Sequence, residues 1–247
     1  IYNILFSTIQ NIFLKKKIIS SKIESELIIK GYELFSFNNN LSKIYKIEKK
    51  IQSSKYISKE IICKESIFQI IDHIFIKNKF AKKVSEITGF SYSVDFIIGY
   101  ETFNIPAEDQ NKDWYANKWH NDKPFTINTL KFIVPLINEN INYQSGGIEI
   151  LDKNQTNEYI KNKKVPKTED IFVMKNLKKE LLIFNPNICY HKAGNPTKSN
   201  SRRQLMFQLN PSTKWKINSN IYKKQFNIEP KFPSLSYFLD ETILMKI

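Results

Sequence analysis

Cysteine is nearly missing from this chain: Cys63 and Cys189 are the only two among 247 residues, and no CxxC pair exists. That excludes a disulfide framework of the kind small secreted domains need, and it argues for a reduced, cytoplasmic setting. Glycine and proline are scarce, at 6 and 9, which leaves little material for a long flexible linker. No apolar run approaches the roughly 20 residues a membrane span requires. The apolar stretch over 1–14 is shorter, and its lysines (Lys15, Lys16 and Lys17) follow it, the reverse of a secretory signal. Ile1, Leu5, Ile9, Ile12 and Phe13 share one helical face there. A helix packed on the domain is the expectation, and an interfacial helix is the alternative. Acidic residues are outnumbered 24 to 38, for a net charge of +14. A nucleic acid or an anionic surface would suit that balance. The lysines, however, are scattered through an Ile-, Lys- and Asn-rich sequence rather than gathered beside stacking aromatics. General surface charge reads better, and no nucleic-acid partner is expected.

What is present suffices for a sizeable core: 41% of residues are hydrophobic and 13% aromatic. A single domain over 1–247 is expected. Residues 1–89 read as mostly helical. A helix over 20–30 has Ser21 and Glu24 in capping-box spacing and Gly31 as its stop. The charged stretch 42–55 is helical in character. Over 66–88, Ile67, Ile70, Ile71, Ile74, Phe75 and Val84 recur at helical spacing, and Gly89 ends the run. The texture then changes. Segments 92–100, 119–122, 129–136, 147–151, 171–174, 180–184, 188–191 and 202–209 are short and rich in β-branched and aromatic residues. Turn residues separate them. Eight such strands without long intervening helices fit a double-sheet jelly roll over 90–212. Residues 153–164 read as an inserted helix or loop. Pro230 and Pro233 break a mixed C-terminal extension over 213–247.

Only three histidines exist, so any imidazole-based site has few members to draw on. In Trp119-His120-Asn121-Asp122, strand alternation sends His120 and Asp122 to one face. Alone, that pair is a weak signal. His191 lies far downstream on a later strand, in the order a converging site needs. Two imidazoles and a carboxylate can occupy one triangular face of an octahedral ferrous ion, leaving three positions open. His73, inside a helix, reads as a helix-edge residue. Arg202 follows His191 by eleven residues, with Arg203 beside it. On their strand Arg202, Gln204, Met206 and Gln208 share a polar face, whereas Arg203, Leu205, Phe207 and Leu209 share an apolar one. The polar face belongs to a wet interior, so Arg202 is the candidate anion anchor and Arg203 a solvated or packing neighbour. A guanidinium fork suits the far carboxylate of a dicarboxylic acid.

Four stretches carry a family resemblance: WHND at 119–122, TLKFIVPLINENINYQSGGIEIL at 129–151, ELLIFNPNICYHKAGNP at 180–196 and SRRQLMFQLNPS at 201–212. Together they resemble the phytanoyl-CoA dioxygenase-like branch of the Fe(II)/2-oxoglutarate oxygenases, over about 88–212. The resemblance implies a double-stranded β-helix. It makes His120, Asp122 and His191 the iron ligands and catalytic set, and Arg202 the anchor for 2-oxoglutarate. It also implies hydroxylation of a small molecule or polar conjugate by dioxygen, with release of succinate and CO2. Asp122 speaks against the halogenating variants, which carry a small residue there. Two departures stand out. Ala193 occupies a place where the family often has a hydroxyl residue that helps bind co-substrate, and LDKNQT at 151–156 replaces the usual proline-glycine-serine-histidine turn.

Lys131, set among apolar strand residues, is a further candidate for contacting 2-oxoglutarate or an acidic substrate, and Gln204 joins the co-substrate set. The positive charge modestly favours an anionic substrate. Tyr100, Trp114 and Tyr115 are candidates for the substrate mouth, with core packing the plainer alternative. Cys189 shares a strand face with His191 on simple alternation, which would bring it near iron; a small buried thiol is the bland reading. Two other functions remain open at this level. One is a non-catalytic β-sandwich binding a glycan or anionic surface, which has no need to bring the four polar residues together. The other is a nucleic-acid-directed oxygenase, which needs its lysines along one groove.

Overall fold

The computed structural model describes residues 2–15, 25–37, 40–114, 116–122, 126–137, 144–198, 200–227 and 242–247. Its helices are α1 (Tyr2–Phe13), α2 (Glu26–Ile29), α3 (Lys64–Ile71), α4 (Phe80–Thr88), α5 (Lys153–Asn162) and α6 (Ile221–Lys224). The strands are β1 (Tyr32–Ser36), β2 (Ile47–Ser54), β3 (Ile57–Ile62), β4 (Ser91–Thr102), β5 (Leu130–Pro135) and β6 (Glu149–Ile150). They continue with β7 (Phe172–Val173), β8 (Glu180–Phe184), β9 (His191–Lys192), β10 (Arg202–Ser212), β11 (Lys216–Asn218) and β12 (Thr242–Leu244).

A large sheet runs β1-β8-β5-β10-β4-β11-β12, and a small one runs β7-β6-β9. Twelve residues make β4 long enough to take β10 along one edge and two partners along the other. β11 pairs with its first half and β3 with its second. Alternation along the central strands then sorts the side chains. Phe132 and Val134 of β5, Leu181 and Ile183 of β8, and Leu205, Phe207 and Leu209 of β10 all enter one apolar cluster with α3 and α4. Ile133, Leu182 and Phe184, on the opposite face, pack with Ile148, Ile150 and Met174 from the region of the small sheet. The result is a double-sheet, jelly-roll-like β fold with helices covering one outer face. Phe132 is fully buried and meets Phe75 at 5.2 Å and Phe80 at 6.4 Å between ring centroids. Truncating it to Ala would cost about 3–5 kcal/mol.

The N-terminal third is less helical than its composition suggests. Residues 47–54, expected to be helical, form β2, paired antiparallel with β3, which borders β4. The local charge pattern lost to tertiary pairing: β-branched Ile47 and Ile51 take the half-buried positions, and the lysines stay in water. The helix expected over 20–30 is the single turn α2, capped by Ser25, whose Oγ accepts from Leu27 N at 3.2 Å. Gly31, at φ 88°, follows it as expected. The Ser21–Glu24 box lies outside the described residues. The helix over 66–88 is split instead by a π-helical turn (Asp72–Lys77) and by Lys79 at φ 58°. Asn78 Nδ2 donates to His73 O at 2.8 Å across the break. The expected insertion at 153–164 is helix α5, with Asp152 and Gln155 forming a capping box. No helix among the described residues is long and apolar enough to cross a membrane.

Candidate metal and anion site

The segment holding His120 is fastened to the segment after β8 by the backbone. His120 N donates to His191 O at 3.0 Å, and His191 N donates to His120 O at 2.9 Å. Asp122 N donates to Pro186 O at 2.9 Å, and Ala193 N donates to Ala116 O at 2.7 Å. Residues directly opposite in an antiparallel pair share a face. The two imidazoles therefore meet, with centroids 4.4 Å apart. Asp122, two residues beyond His120, joins them: its Oδ1 lies 3.6 Å from His120 Nε2 and 3.8 Å from His191 Nε2. One donor atom from each residue fits within 4.8 Å of the others.

Hydrogen bonding sets the ring tautomers. His120 Nδ1 faces the carbonyl oxygen of Lys118 at 2.8 Å, and His191 Nδ1 faces that of Cys189 at 2.9 Å. A carbonyl only accepts, so Nδ1 carries the proton in each ring and the Nε2 lone pairs point at the shared centre. Burial, reinforced by the neighbouring His120, holds the pKa of His191 below its usual range, which keeps that ring neutral and ligand-competent. Asp122 Oδ2 is taken by the ammonium of Lys131, which leaves Oδ1 toward the imidazoles. Lys131 thus reaches the site by pairing with a carboxylate already there. The donor set suits a divalent transition ion of intermediate softness.

These groups open on a cavity of about 350 Å³, whose lining also includes Tyr100, Ile133, Phe184, Arg202, Gln204 and Met206. Arg202 is buried, and no carboxylate pairs with it among the described residues. Its Nη1 donates to the carbonyls of Gly146 and, at 3.2 Å, Gly194; Nη2 donates to Thr102 Oγ1 at 3.3 Å. Arg202 Nε and Gln204 Oε1 are buried with no hydrogen-bond partner among the described residues. Burial lowers the pKa of Arg202 to about 10, so it remains a cation at neutral pH. A desolvated cation of this kind calls for an anion in the cavity. Gln204 can turn its amide to donate to the same anion. Glycine makes the cradle possible: a Cβ on Gly194 would collide with the carbonyl oxygen of Gly147.

The sequence-based candidates divide clearly. His120, Asp122, His191, Arg202, Lys131, Gln204 and Tyr100 all line the cavity, as does Ala193. Arg203 points away and clasps the fully buried Glu60 through Nε and Nη2 at 3.0 and 3.1 Å, so it packs rather than standing in solvent. His73 sits by Asn78 and Phe37, away from the ligands. Trp114 packs on Tyr56 and donates to Asp109 O at 2.8 Å, outside the cavity lining; Tyr115 lies outside the described residues. Cys189 corrects the strand-face expectation. Its thiol lies 3.6 Å from Lys30 O, in the second core cluster, and burial raises its pKa to about 12. Only its carbonyl serves the site. Missed at the sequence level were the Lys118, Gly146 and Gly194 carbonyls. The paired glycines of SGG and the glycine three residues after His191 were the signal for the last two.

No family model and no curated protein sequence matches this chain. Solved structures do resemble it. An oxidoreductase of the 2OG-Fe(II) oxygenase family from Burkholderia pseudomallei superposes with a TM-score of 0.53 at 9% identity, covering 76% of this chain and 88% of that one. HygX from Streptomyces hygroscopicus, solved with nickel, 2-oxoglutarate and hygromycin B, gives 0.50 at 10% identity, covering 79% and 89%. At such identities the likeness is one of fold: this chain has the fold of 2-oxoglutarate- and iron-dependent oxygenases.

Proposed function

We propose that this chain is an Fe(II)/2-oxoglutarate-dependent dioxygenase, one domain over 1–247 built on a double-stranded β-helix. The observation that carries the reading is one cavity holding both a His-Asp-His donor triangle and a buried guanidinium with no carboxylate partner among the described residues. His120, Asp122 and His191 would hold the iron. Bound there, iron supplies dioxygen activation coupled to decarboxylation of 2-oxoglutarate to succinate and CO2, with oxidation of a substrate C–H group. Arg202 is assigned to the distal carboxylate of 2-oxoglutarate, with Gln204 beside it. Lys131 is assigned to Asp122, whose second oxygen it orients. Tyr100, Ile133 and Met206 form the wall that limits water and presents substrate. Hydroxylation of a small molecule or polar conjugate is the outcome we favour. The finer resemblance, to the phytanoyl-CoA dioxygenase-like branch, rests on the sequence motifs. A passive binding module would have no use for convergence of these groups.

Anaerobic addition of Fe(II) and then 2-oxoglutarate should give the weak visible absorption of the metal chelate. Exposure to oxygen should then release succinate even without primary substrate. Loss of both in Asp122→Ala supports the assignment. A wild-type protein that binds neither reduced iron nor 2-oxoglutarate refutes it.

A further inference from the structure

Helix α1 presents the wrong face to water. Ser7 and Gln10 turn inward and are buried. Ser7 Oγ accepts from Ile127 N at 3.0 Å and lies 3.2 Å from Thr126 Oγ1. Gln10 Oε1 accepts from Thr126 Oγ1 and, at 3.4 Å, from Asn128 Nδ2. These polar contacts with the 126–128 turn fix the helix rotation. The opposite stripe holds Leu5, Ile9, Ile12 and Phe13, which are 58%, 43%, 67% and 77% exposed. Their spacing puts all four within one sector of the helix. An amphipathic helix that serves only its own domain would bury this stripe and expose the serine and glutamine.

We propose that α1 is an interfacial helix that seats the protein on an anionic lipid surface, its apolar stripe in the headgroup–acyl boundary. Charge argues for that occupant. Exposed Lys15 lies two residues beyond the end of the helix, its ammonium 6.0 Å from the Phe90 ring centroid. Lys16 and Lys17 follow in sequence, and the chain carries a net charge of +14. Basic residues flanking an apolar helical face gain from anionic headgroups. Length argues that the helix lies flat, since 12 residues cannot span a bilayer. Area argues against a second copy of the chain. A helix about 18 Å long and about 10 Å wide offers far less than the roughly 800 Å² per partner that a stable interface needs. The inference is independent of the catalytic reading.

The test is flotation of the full chain with vesicles of phosphatidylcholine, with or without roughly a quarter phosphatidylserine. The wild type should float with the anionic vesicles and detach as salt rises. The double variant Ile12→Glu/Phe13→Glu should bind about ten-fold less or weaker still. Ile160→Glu, at an exposed site on α5, should float like wild type. Leu5→Gln/Ile9→Gln provides a second, uncharged variant, and unchanged thermal unfolding of each variant shows that the fold is intact. Failure of the wild type to float, equal binding to neutral vesicles, or undiminished binding by folded stripe variants would each overturn the proposal. So would a dimer in sedimentation that the stripe variants dissociate.

Discussion

His120 and His191 stand directly opposite each other, joined by two reciprocal main-chain hydrogen bonds of 3.0 and 2.9 Å. The main chain makes the pairing and the side chains use it. Replacing either ring therefore removes a ligand while leaving the backbone clasp in place. We expect His120→Ala and His191→Ala to keep the wild-type fold and lose divalent metal affinity by about a hundred-fold or more, the upper end of what even outer groups around a metal contribute. Anaerobic titration calorimetry with Fe(II) or Co(II) checks this. Retained affinity in both variants would mean that the metal, if any, binds elsewhere.

Arg202 yields a prediction with two signs. Loss of its charge-assisted contact to a carboxylate is worth about 2 kcal/mol, or roughly thirty-fold. Arg202→Met should raise the KM for 2-oxoglutarate by at least that factor. Without ligand, however, wild-type Arg202 is a buried cation with no carboxylate partner among the described residues. The Met variant loses the cost of that uncompensated charge together with the bonds to Gly146, Gly194 and Thr102, so its Tm without ligand should stay close to that of wild type. Added to the metal-loaded protein, 2-oxoglutarate should raise the wild-type Tm, and the variant should need roughly thirty-fold more co-substrate for the same rise. A variant that unfolds at much lower temperature would show the guanidinium acting mainly as structural glue for Gly146 and Gly194.

The choice of Arg202 over Arg203 was legible because β10 is a long strand whose pairing with β4 is unbroken from Arg202 to Gln208, and its register shift falls only beyond that, between Gln208 and Leu209. Cys189 misled for the opposite reason. β9 begins only at His191, so Cys189 belongs to the preceding turn, where alternation carries no information about direction. The β2–β3 hairpin was hidden by its lysines, whose helical character is a local preference that pairing beside β4 overrides. His120 and Asp122 were readable as a pair, yet their meeting with His191 depends on long-range pairing that only tertiary structure supplies.

Lys131 tests how the carboxylate is held. With Asp122 Oδ2 engaged by the ammonium, Oδ1 is turned toward both imidazoles. Lys131→Met should lower metal affinity by about ten- to a hundred-fold, the range for outer groups that orient a ligand. The KM for 2-oxoglutarate, measured at saturating metal, should change less than in Arg202→Met. If instead KM for 2-oxoglutarate rises as far as in the arginine variant and metal affinity holds, Lys131 is a co-substrate contact.

Asp95 offers a prediction about pH that lies away from the site. It is buried on β4, and its carboxylate accepts from Ser93 Oγ at 2.8 Å and Asn210 Nδ2 at 2.9 Å. Burial outweighs those bonds and raises its pKa above the usual carboxylate value. The folded state therefore binds this proton more readily than the unfolded chain. Its stabilising effect is complete below the unfolded value of about 3.9 and is lost as pH rises through the folded pKa. Asp95→Asn removes that dependence and substitutes a penalty that does not vary with pH. The stability of the variant relative to wild type should therefore improve between about pH 4 and neutrality, read as the difference in urea midpoints. Midpoint curves that run parallel across this range would mean that Asp95 titrates alike in both states, and that its asparagine and serine partners fully offset its burial.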